Sequence, residues 1–225
     1  GPSILPDSVF KEASQAVIDF NGSGLSILEM SHRSKDFVAV MDQATSLSLE
    51  LLGLENKGYH ALFLQGGASL QFVMLAQNLL ENKAAYLNTG TWANNAIKEA
   101  RFFGEVVEVA SSKEKNYNYT PKNYEIPDDV DYFHCTSNNT IFGTQIKEFP
   151  KTSVPMICDM SSDIFSRALD YSQFDLIYAG AQKNMAPAGT TRVIIKESIL
   201  GKVSRAITNI LNYTSNIEKE SIYLS

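Results

Sequence analysis

Apolar residues follow two different patterns along the chain. In its first quarter they recur every three or four residues, which is the spacing of an amphipathic helix. One helix is predicted to begin near Asp7 and to stop at Asn21-Gly22. A second is predicted to follow Ser34, a plausible N-cap, and to end at Gly53.

Beyond Gly53 the apolar residues come in short continuous runs separated by helical segments. Further helices are predicted over 69–80 and from the NTGTW stretch to Phe103. The strand candidates are 61–64, 84–87, 105–110, 131–136, 154–159, 174–180 and 191–196. Continuous runs interleaved with helices are typical of a parallel sheet buried on both faces. We therefore predict an α/β fold with three layers, a mostly parallel central sheet with helices on both faces, and 111–129 as a surface connection.

Composition narrows the class of protein. A length of 225 residues, with 44% hydrophobic and 20% charged residues, is typical of one sizeable globular domain. The net charge of -6 argues against non-specific nucleic-acid binding, and no apolar run is long enough to cross a bilayer. Cys135 and Cys158 lie in apolar runs and are expected to be buried free thiols, which suits a cytoplasmic protein. No secretory signal is visible, and no metal site is predicted.

Functional residues are expected just after the strands, because ligands of open α/β sheets bind beyond the carboxyl ends of the parallel strands. Gly66-Gly67-Ala68-Ser69 lies between a predicted strand and a helix, where main-chain N–H groups favour an anion. A tight turn capped by Ser69 explains the same residues equally well. The spacing matches neither the dinucleotide fingerprint nor the P-loop.

Other strand ends carry further candidates, each with a simpler explanation. Trp92, the only tryptophan, could stack on a planar ring, although core packing is its commoner role. Asp159 ends an apolar strand, where it either caps a turn or faces a cationic nitrogen. Asn138-Asn139-Thr140 offers amide and hydroxyl groups, or forms only a polar loop.

Lys183 follows the strand candidate 174–180 within YAGAQKNMAPAG. A lysine is most often exposed to solvent, but the small residues around this one indicate close packing. An ammonium group removed from water has a lowered pKa and becomes a competent nucleophile. Pyridoxal phosphate chemistry would use all the strand-end groups together: an anion cup, an aromatic face, a carboxylate for the ring nitrogen, and an amine for the aldehyde.

Five stretches carry a resemblance to a known family: FLQGGASLQF, NTGTW, HCTSNNTIFG, CDMSS and YAGAQKNMAPAG. They resemble the phosphoserine aminotransferases, fold-type-I pyridoxal-phosphate enzymes of aminotransferase class V. The resemblance implies reversible amino transfer from O-phospho-L-serine to 2-oxoglutarate, giving 3-phosphooxypyruvate and L-glutamate in serine biosynthesis. It also implies a cytoplasmic homodimer and, in many bacteria, a second substrate, 4-phosphooxy-L-threonine, used in pyridoxine biosynthesis.

The resemblance also implies a role for each matching residue. Lys183 would be the catalytic lysine that carries the cofactor's aldehyde, with Gln182 as a cofactor contact beside it. Asp159 would pair with the ring nitrogen, Trp92 would stack on the ring, and Thr140 would bind near the ring hydroxyl. The remaining residues are those of the phosphate cup, Ala68 and Ser69, and the substrate-anion residues of the SHRS loop, His32 and Arg33. Without the resemblance, His32 would be taken as a loop histidine.

The chain also departs from the family. Residues 1–225 are expected to be the large cofactor-binding domain, with a helical lead-in over about 1–53, and the chain stops where the family's small C-terminal domain begins. Leu224-Ser225 stand where an Asn-Thr pair of the neighbouring subunit is expected to reach the cofactor phosphate. Two alternatives therefore stay open. One is another fold-type-I enzyme, such as a desulfurase or an alanine–glyoxylate-type transaminase, and the other is a cofactor-binding domain without full activity.

Overall fold

The computed structural model describes residues 3–220, so Gly1-Pro2 and the Leu224-Ser225 departure lie outside the described residues. Its α-helices are α1 (Asp7–Ile18), α2 (Lys35–Leu52), α3 (Gly67–Leu79), α4 (Thr91–Ala100) and α5 (Tyr213–Glu218). Its strands are β1 (Tyr59–Leu64), β2 (Lys83–Asn88), β3 (Glu105–Ser111), β4 (Phe133–Thr136), β5 (Asn138–Asn139), β6 (Thr144–Gln145), β7 (Met156–Asp159), β8 (Leu176–Gly180) and β9 (Thr191–Lys196).

Seven of these strands form one sheet in the order β1-β9-β8-β7-β4-β2-β3. The neighbours from β8 through β7, β4 and β2 to β3 are all parallel. Strand β9 is antiparallel to both β1 and β8, so β1 runs in the same direction as β8. Six carboxyl ends therefore meet at one edge of the sheet, which we call the strand-end edge.

Local signals explain why α2 begins and ends where predicted. The Ser34 side chain accepts a hydrogen bond from the main-chain N–H of Phe37, as an N-cap does. Gly53 closes the helix in the left-handed conformation, with φ of 62°, which glycine adopts without strain. Both ends of this helix are thus fixed by residues visible in the sequence.

The core lies on both faces of the sheet. Helices α3 and α4 cover one face, where Leu75, Ile97 and Tyr178 are fully buried. Helix α2 and irregular segments cover the other face, which contains Phe133 and Ile177. The predicted α/β fold with a mostly parallel central sheet is confirmed.

Two smaller expectations can also be checked in the described residues. Cys135 and Cys158 are both buried and free, as predicted, with their Sγ atoms 3.7 Å apart. Among residues 3–220, no helix combines the length and the apolar character needed to cross a bilayer.

Candidate functional site

Three predicted residues meet at the strand-end edge. Asp159 is the last residue of β7, which pairs with β8 in the sheet. Lys183 ends the short 3-10 turn Ala181–Lys183 that follows β8. Its Nζ lies 4.7 Å from the centroid of the Trp92 ring, within the range of a cation–π contact. Trp92 is the second residue of α4, which begins just after β2, so three separate strands bring an amine, an aromatic face and a carboxylate together.

The Asp159 carboxylate is only 5% exposed. Burial raises its pKa, because a charged carboxylate is disfavoured away from water. Two hydrogen bonds from Ser161 and the positive charge of Lys183 oppose that shift. Oδ1 accepts both bonds, from the Ser161 N–H at 2.9 Å and from its hydroxyl at 2.6 Å. Asp159 therefore caps its own turn, one of the two roles that the sequence allowed, and its carboxylate is buried within electrostatic reach of Lys183.

The predicted phosphate cup is the turn from β1 into α3. Gly66 has a φ of 84°, and a Cβ there would lie 2.4 Å from Cδ2 of Leu70. Ala68 and Ser69 fall in the first turn of α3, with Ser69 exposed. A helix N-terminus presents main-chain N–H groups and the positive end of the helix dipole, so this turn suits an anion.

The segment that contains Thr140 forms a small hairpin that the sequence did not predict. Strands β5 and β6 pair with each other, and Thr140 lies exposed in the turn between them. Nδ2 of Asn139 donates to Oγ1 of Thr89 at 3.1 Å. Gly90 allows this approach, since a Cβ there would lie 2.7 Å from Oδ1 of Asn139. The hairpin is thus held against the N-terminus of α4, beside Trp92.

Gln182 and its neighbours fix the turn that presents Lys183. The carbonyl oxygen of Gln182 accepts a hydrogen bond from the N–H of Ser3 at 3.3 Å. Nδ2 of Asn184 donates to the carbonyl of Ile164 at 2.5 Å. The residues immediately before and after Lys183 are therefore both fixed by hydrogen bonds to other segments.

His32 and Arg33 lie apart from these residues, just before α2. His32 is half-buried and lines a cavity of about 570 Å³ between α2 and β1, together with Gln65 and Thr190. Lys183, Trp92 and Asp159 do not line this cavity, but the carbonyl of Thr190 accepts from the N–H of Ala181, two residues before Lys183, at 3.0 Å. Arg33 is exposed. One main-chain hydrogen bond therefore connects a residue that lines the cavity to the turn that contains Lys183.

Sequence reasoning missed a second buried carboxylate behind the site. Asp163 is 4% exposed and accepts hydrogen bonds from Arg167 at 3.1 Å and from Gln145 at 3.2 Å. The Ser137 hydroxyl also donates to it. This cluster joins the segment after β7 to the segment after β4, and the only signal in the sequence is a second aspartate shortly after Asp159.

Comparison with known proteins gives consistent results. The family model described as aminotransferase class-V matches residues 1–217. The phosphoserine aminotransferase of Flavobacterium johnsoniae is 69% identical over 225 residues, an alignment that covers 99% of this chain and 63% of the relative. The chain thus spans 63% of the length of that curated relative.

Two solved structures extend the similarity to the fold. The phosphoserine aminotransferase of Bacillus circulans subsp. alkalophilus is 43% identical, with a TM-score of 0.95, over 100% of this chain and 63% of that chain. The pyridoxal-phosphate-bound phosphoserine aminotransferase of Trichomonas vaginalis is 31% identical, with a TM-score of 0.92, over 100% of this chain and 64% of that chain.

Proposed function

Because the chain belongs to the class-V aminotransferase family, we propose that it binds pyridoxal phosphate and acts in amino transfer from O-phospho-L-serine to 2-oxoglutarate. The products of that reversible reaction are 3-phosphooxypyruvate and L-glutamate. The observation that carries the proposal is the position of the Lys183 amine, 4.7 Å from the Trp92 ring centroid, at the end of the strand beside Asp159.

The residues present fit the proposed cofactor. The buried Asp159 carboxylate suits a protonated ring nitrogen, since a buried anion needs a cationic partner. The exposed face of the first turn of α3, with Ala68 and Ser69, suits a phosphate group. Trp92 offers its ring face, and its Nε1 is buried without a hydrogen-bond partner among the described residues. When bound, pyridoxal phosphate supplies an aldehyde for amines and a protonated ring that accepts electrons.

Individual side chains of the protein would bind the cofactor and transfer protons. Lys183 would hold the aldehyde and, once released, move a proton through Nζ. Asp159 would keep the proton on the ring nitrogen, and Trp92 would cover one ring face and exclude water from it. Thr140 and Gln182 are proposed as further cofactor contacts, beside the ring hydroxyl and beside the lysine respectively.

The substrate class is supported by similarity to phosphoserine aminotransferases. His32 and Arg33 are proposed to bind an anionic group of the substrate, as charge-assisted hydrogen bonds would allow. The cavity lined by His32 supports this role, because it is also lined by Thr190, whose carbonyl accepts a hydrogen bond from the N–H of Ala181. 4-phosphooxy-L-threonine is proposed as a second substrate, because it carries the same kinds of anionic group for His32 and Arg33 to bind.

We further propose that residues 1–225 correspond to the large cofactor-binding domain of the family, and that the protein forms a homodimer. Several large apolar side chains are exposed, among them Phe10 at 57% and Ile18 at 72%. A second copy of the chain would cover such side chains if they form one contiguous surface. Sedimentation velocity distinguishes a dimer from a monomer, and a monomer at all concentrations would contradict the dimer.

The proposed cofactor site is tested by trapping the cofactor on its lysine. We expect the protein mixed with pyridoxal phosphate to develop a visible absorption band. Reduction with borohydride should then leave a pyridoxyl group on Lys183, located by peptide mapping. The variant K183A should lose the band, whereas K151A, which changes an exposed lysine in a loop, should keep it. A pyridoxyl group found elsewhere, or none, would contradict the proposal.

Amino transfer is measured separately, as glutamate formed from O-phospho-L-serine and 2-oxoglutarate. Labelling of Lys183 together with glutamate formation supports the full activity. Labelling without glutamate formation favours the alternative of a cofactor-binding domain without full activity. The distinction matters because the chain spans 63% of the length of its curated relative.

A further inference from the structure

Ser161 makes both hydrogen bonds that reach Oδ1 of Asp159. Its main-chain N–H lies 2.9 Å from that oxygen, and its hydroxyl lies 2.6 Å from it. Ser161 is itself buried, with 3% of its surface exposed. Solvent therefore has little access to its hydroxyl.

The same hydroxyl also reaches the neighbouring strand. Oγ of Ser161 accepts a hydrogen bond from the N–H of Gly180 at 3.0 Å, and Gly180 ends β8, three residues before Lys183. A hydroxyl has one proton to donate. Since Gly180 occupies an acceptor position, the proton is directed to Asp159, and one side chain joins the carboxylate to the strand that leads to the lysine.

A second Asp-x-Ser pair in the chain shows what a simple turn cap looks like. Oδ1 of Asp170 accepts from the N–H of Ser172 at 3.0 Å and from its hydroxyl at 2.5 Å. That pair is exposed, and both contacts span two residues. Ser161 differs from Ser172 in its burial and in the bond to Gly180, which is 19 residues away in the sequence.

We propose that Ser161 is a positioning residue for Asp159, which it holds ionised and fixed in place toward the ring nitrogen of the cofactor. The part of this inference that concerns the cofactor rests on the proposed function. The link between the two side chains does not, because it is a property of the chain alone. Hydrogen bonds to a carboxylate favour its charged form, and here they oppose the effect of burial.

The first test measures Asp159 in the protein without cofactor. Protein labelled with ¹³C at the aspartate carboxyl carbon is titrated by NMR, and the D159N variant assigns the signal. We expect S161A to raise the pKa of Asp159 relative to the parent protein, and S172A to leave it where it was. An unchanged titration in S161A would overturn the proposal. Because serine to alanine removes one oxygen, circular dichroism of both variants checks that the fold is retained.

The second test separates the ring nitrogen from the rest of the cofactor. Affinity is measured by quenching of Trp92, the only tryptophan, with pyridoxal phosphate and with its analogue that has CH in place of the ring nitrogen. We expect S161A to weaken binding of pyridoxal phosphate about tenfold, as for one lost hydrogen bond to a charged group. Binding of the analogue should not change.

The outcomes of the second test are distinguishable. Equal weakening for both molecules would show a packing role only and would overturn the positioning role. If the parent protein binds neither molecule, the proposed function fails, and the NMR titration still decides whether Ser161 controls Asp159.

Discussion

Arg192 is a fully buried arginine near the start of β9, and few groups compensate its charge. Nη2 donates to the carbonyl of Ala44 at 3.1 Å, and the guanidinium carbon lies 3.8 Å from the Phe63 ring centroid. Nε and Nη1 are buried and have no hydrogen-bond partner among the described residues. Burial lowers the pKa of Arg192 to about 9. A buried cation in these surroundings costs stability.

We therefore expect R192M to raise the free energy of unfolding, by about 1 kcal/mol or more, because an unbranched apolar side chain fills similar space without a charge. R192A should instead lower it, since truncation leaves a cavity. Urea unfolding of the three proteins measures both changes. If R192M is as destabilised as R192A, the charge of Arg192 is compensated in the folded protein and does not cost stability.

Single residues of the site could be named from the sequence only in combination. Lys183, Asp159 and Trp92 each had a commoner explanation, and what favoured the functional one was their order at successive strand ends. The structure brings these three together. Ser161 and Gly180 could not be linked in this way, because a hydrogen bond from the segment after β7 to the end of β8 depends on strand pairing and register, which the sequence pattern does not give.

At the scale of elements, turn chemistry decides the shape of the site. Gly66 and Gly67 both have positive φ, at 84° and 67°, in the turn that leads into α3. They differ in their surroundings, because a Cβ on Gly66 would contact Leu70 at 2.4 Å, whereas a Cβ on Gly67 would have nothing within 4 Å. The two glycines are thus a matched pair for separating backbone strain from steric conflict.

We expect G67A to lower the free energy of unfolding by about 1 kcal/mol, the cost of a left-handed conformation for alanine. G66A should cost more, by a further 1–2 kcal/mol or so, because Leu70 must also move. Adding L70A to G66A should recover part of the additional loss. Thermal or urea unfolding checks the order, and equal losses for G66A and G67A would show that Leu70 yields without cost.

Elements with strong local signals were predicted well. Helix α2 was bounded by Ser34 and Gly53, and both form the expected caps. The predicted start of α3 was two residues late, because the helix begins at Gly67, a residue type that sequence rules assign to the turn. The hairpin of β5 and β6 was missed, since each strand has only two residues and β5 is held by a contact with Thr89, just before α4.

At the scale of the whole molecule, the continuous apolar runs predicted the class of sheet but not the order of its strands. Strand β9 runs against its neighbours and lies between β1 and β8, and nothing in its run TRVIIK distinguishes it from a parallel strand. This order places the end of β1, with the turn into α3, on the same edge as Lys183. The proposed phosphate cup and the lysine therefore share one edge of the sheet because of its topology.

His134 makes the stability of the whole molecule depend on pH. It lies fully buried in β4, near the centre of the sheet, with Nε2 2.8 Å from the Tyr178 hydroxyl. Its ring stacks on Tyr86 at 4.7 Å. Burial lowers the pKa of His134 to about 3, whereas an unfolded histidine titrates near 6.5. Between these two values the unfolded chain binds one more proton than the folded protein.

The stability contributed by neutral His134 is therefore complete above about pH 6.5 and is lost as the pH falls toward 3, by about 1.4 kcal/mol per pH unit. We expect H134F and H134Q to unfold with a shallower dependence on pH between 6 and 4, each by about that amount per unit. Urea unfolding at several pH values measures the slope, which is independent of any constant loss that the substitutions cause. Carboxylates contribute equally in all three proteins, so a slope unchanged in both variants would show that His134 is protonated in the folded protein.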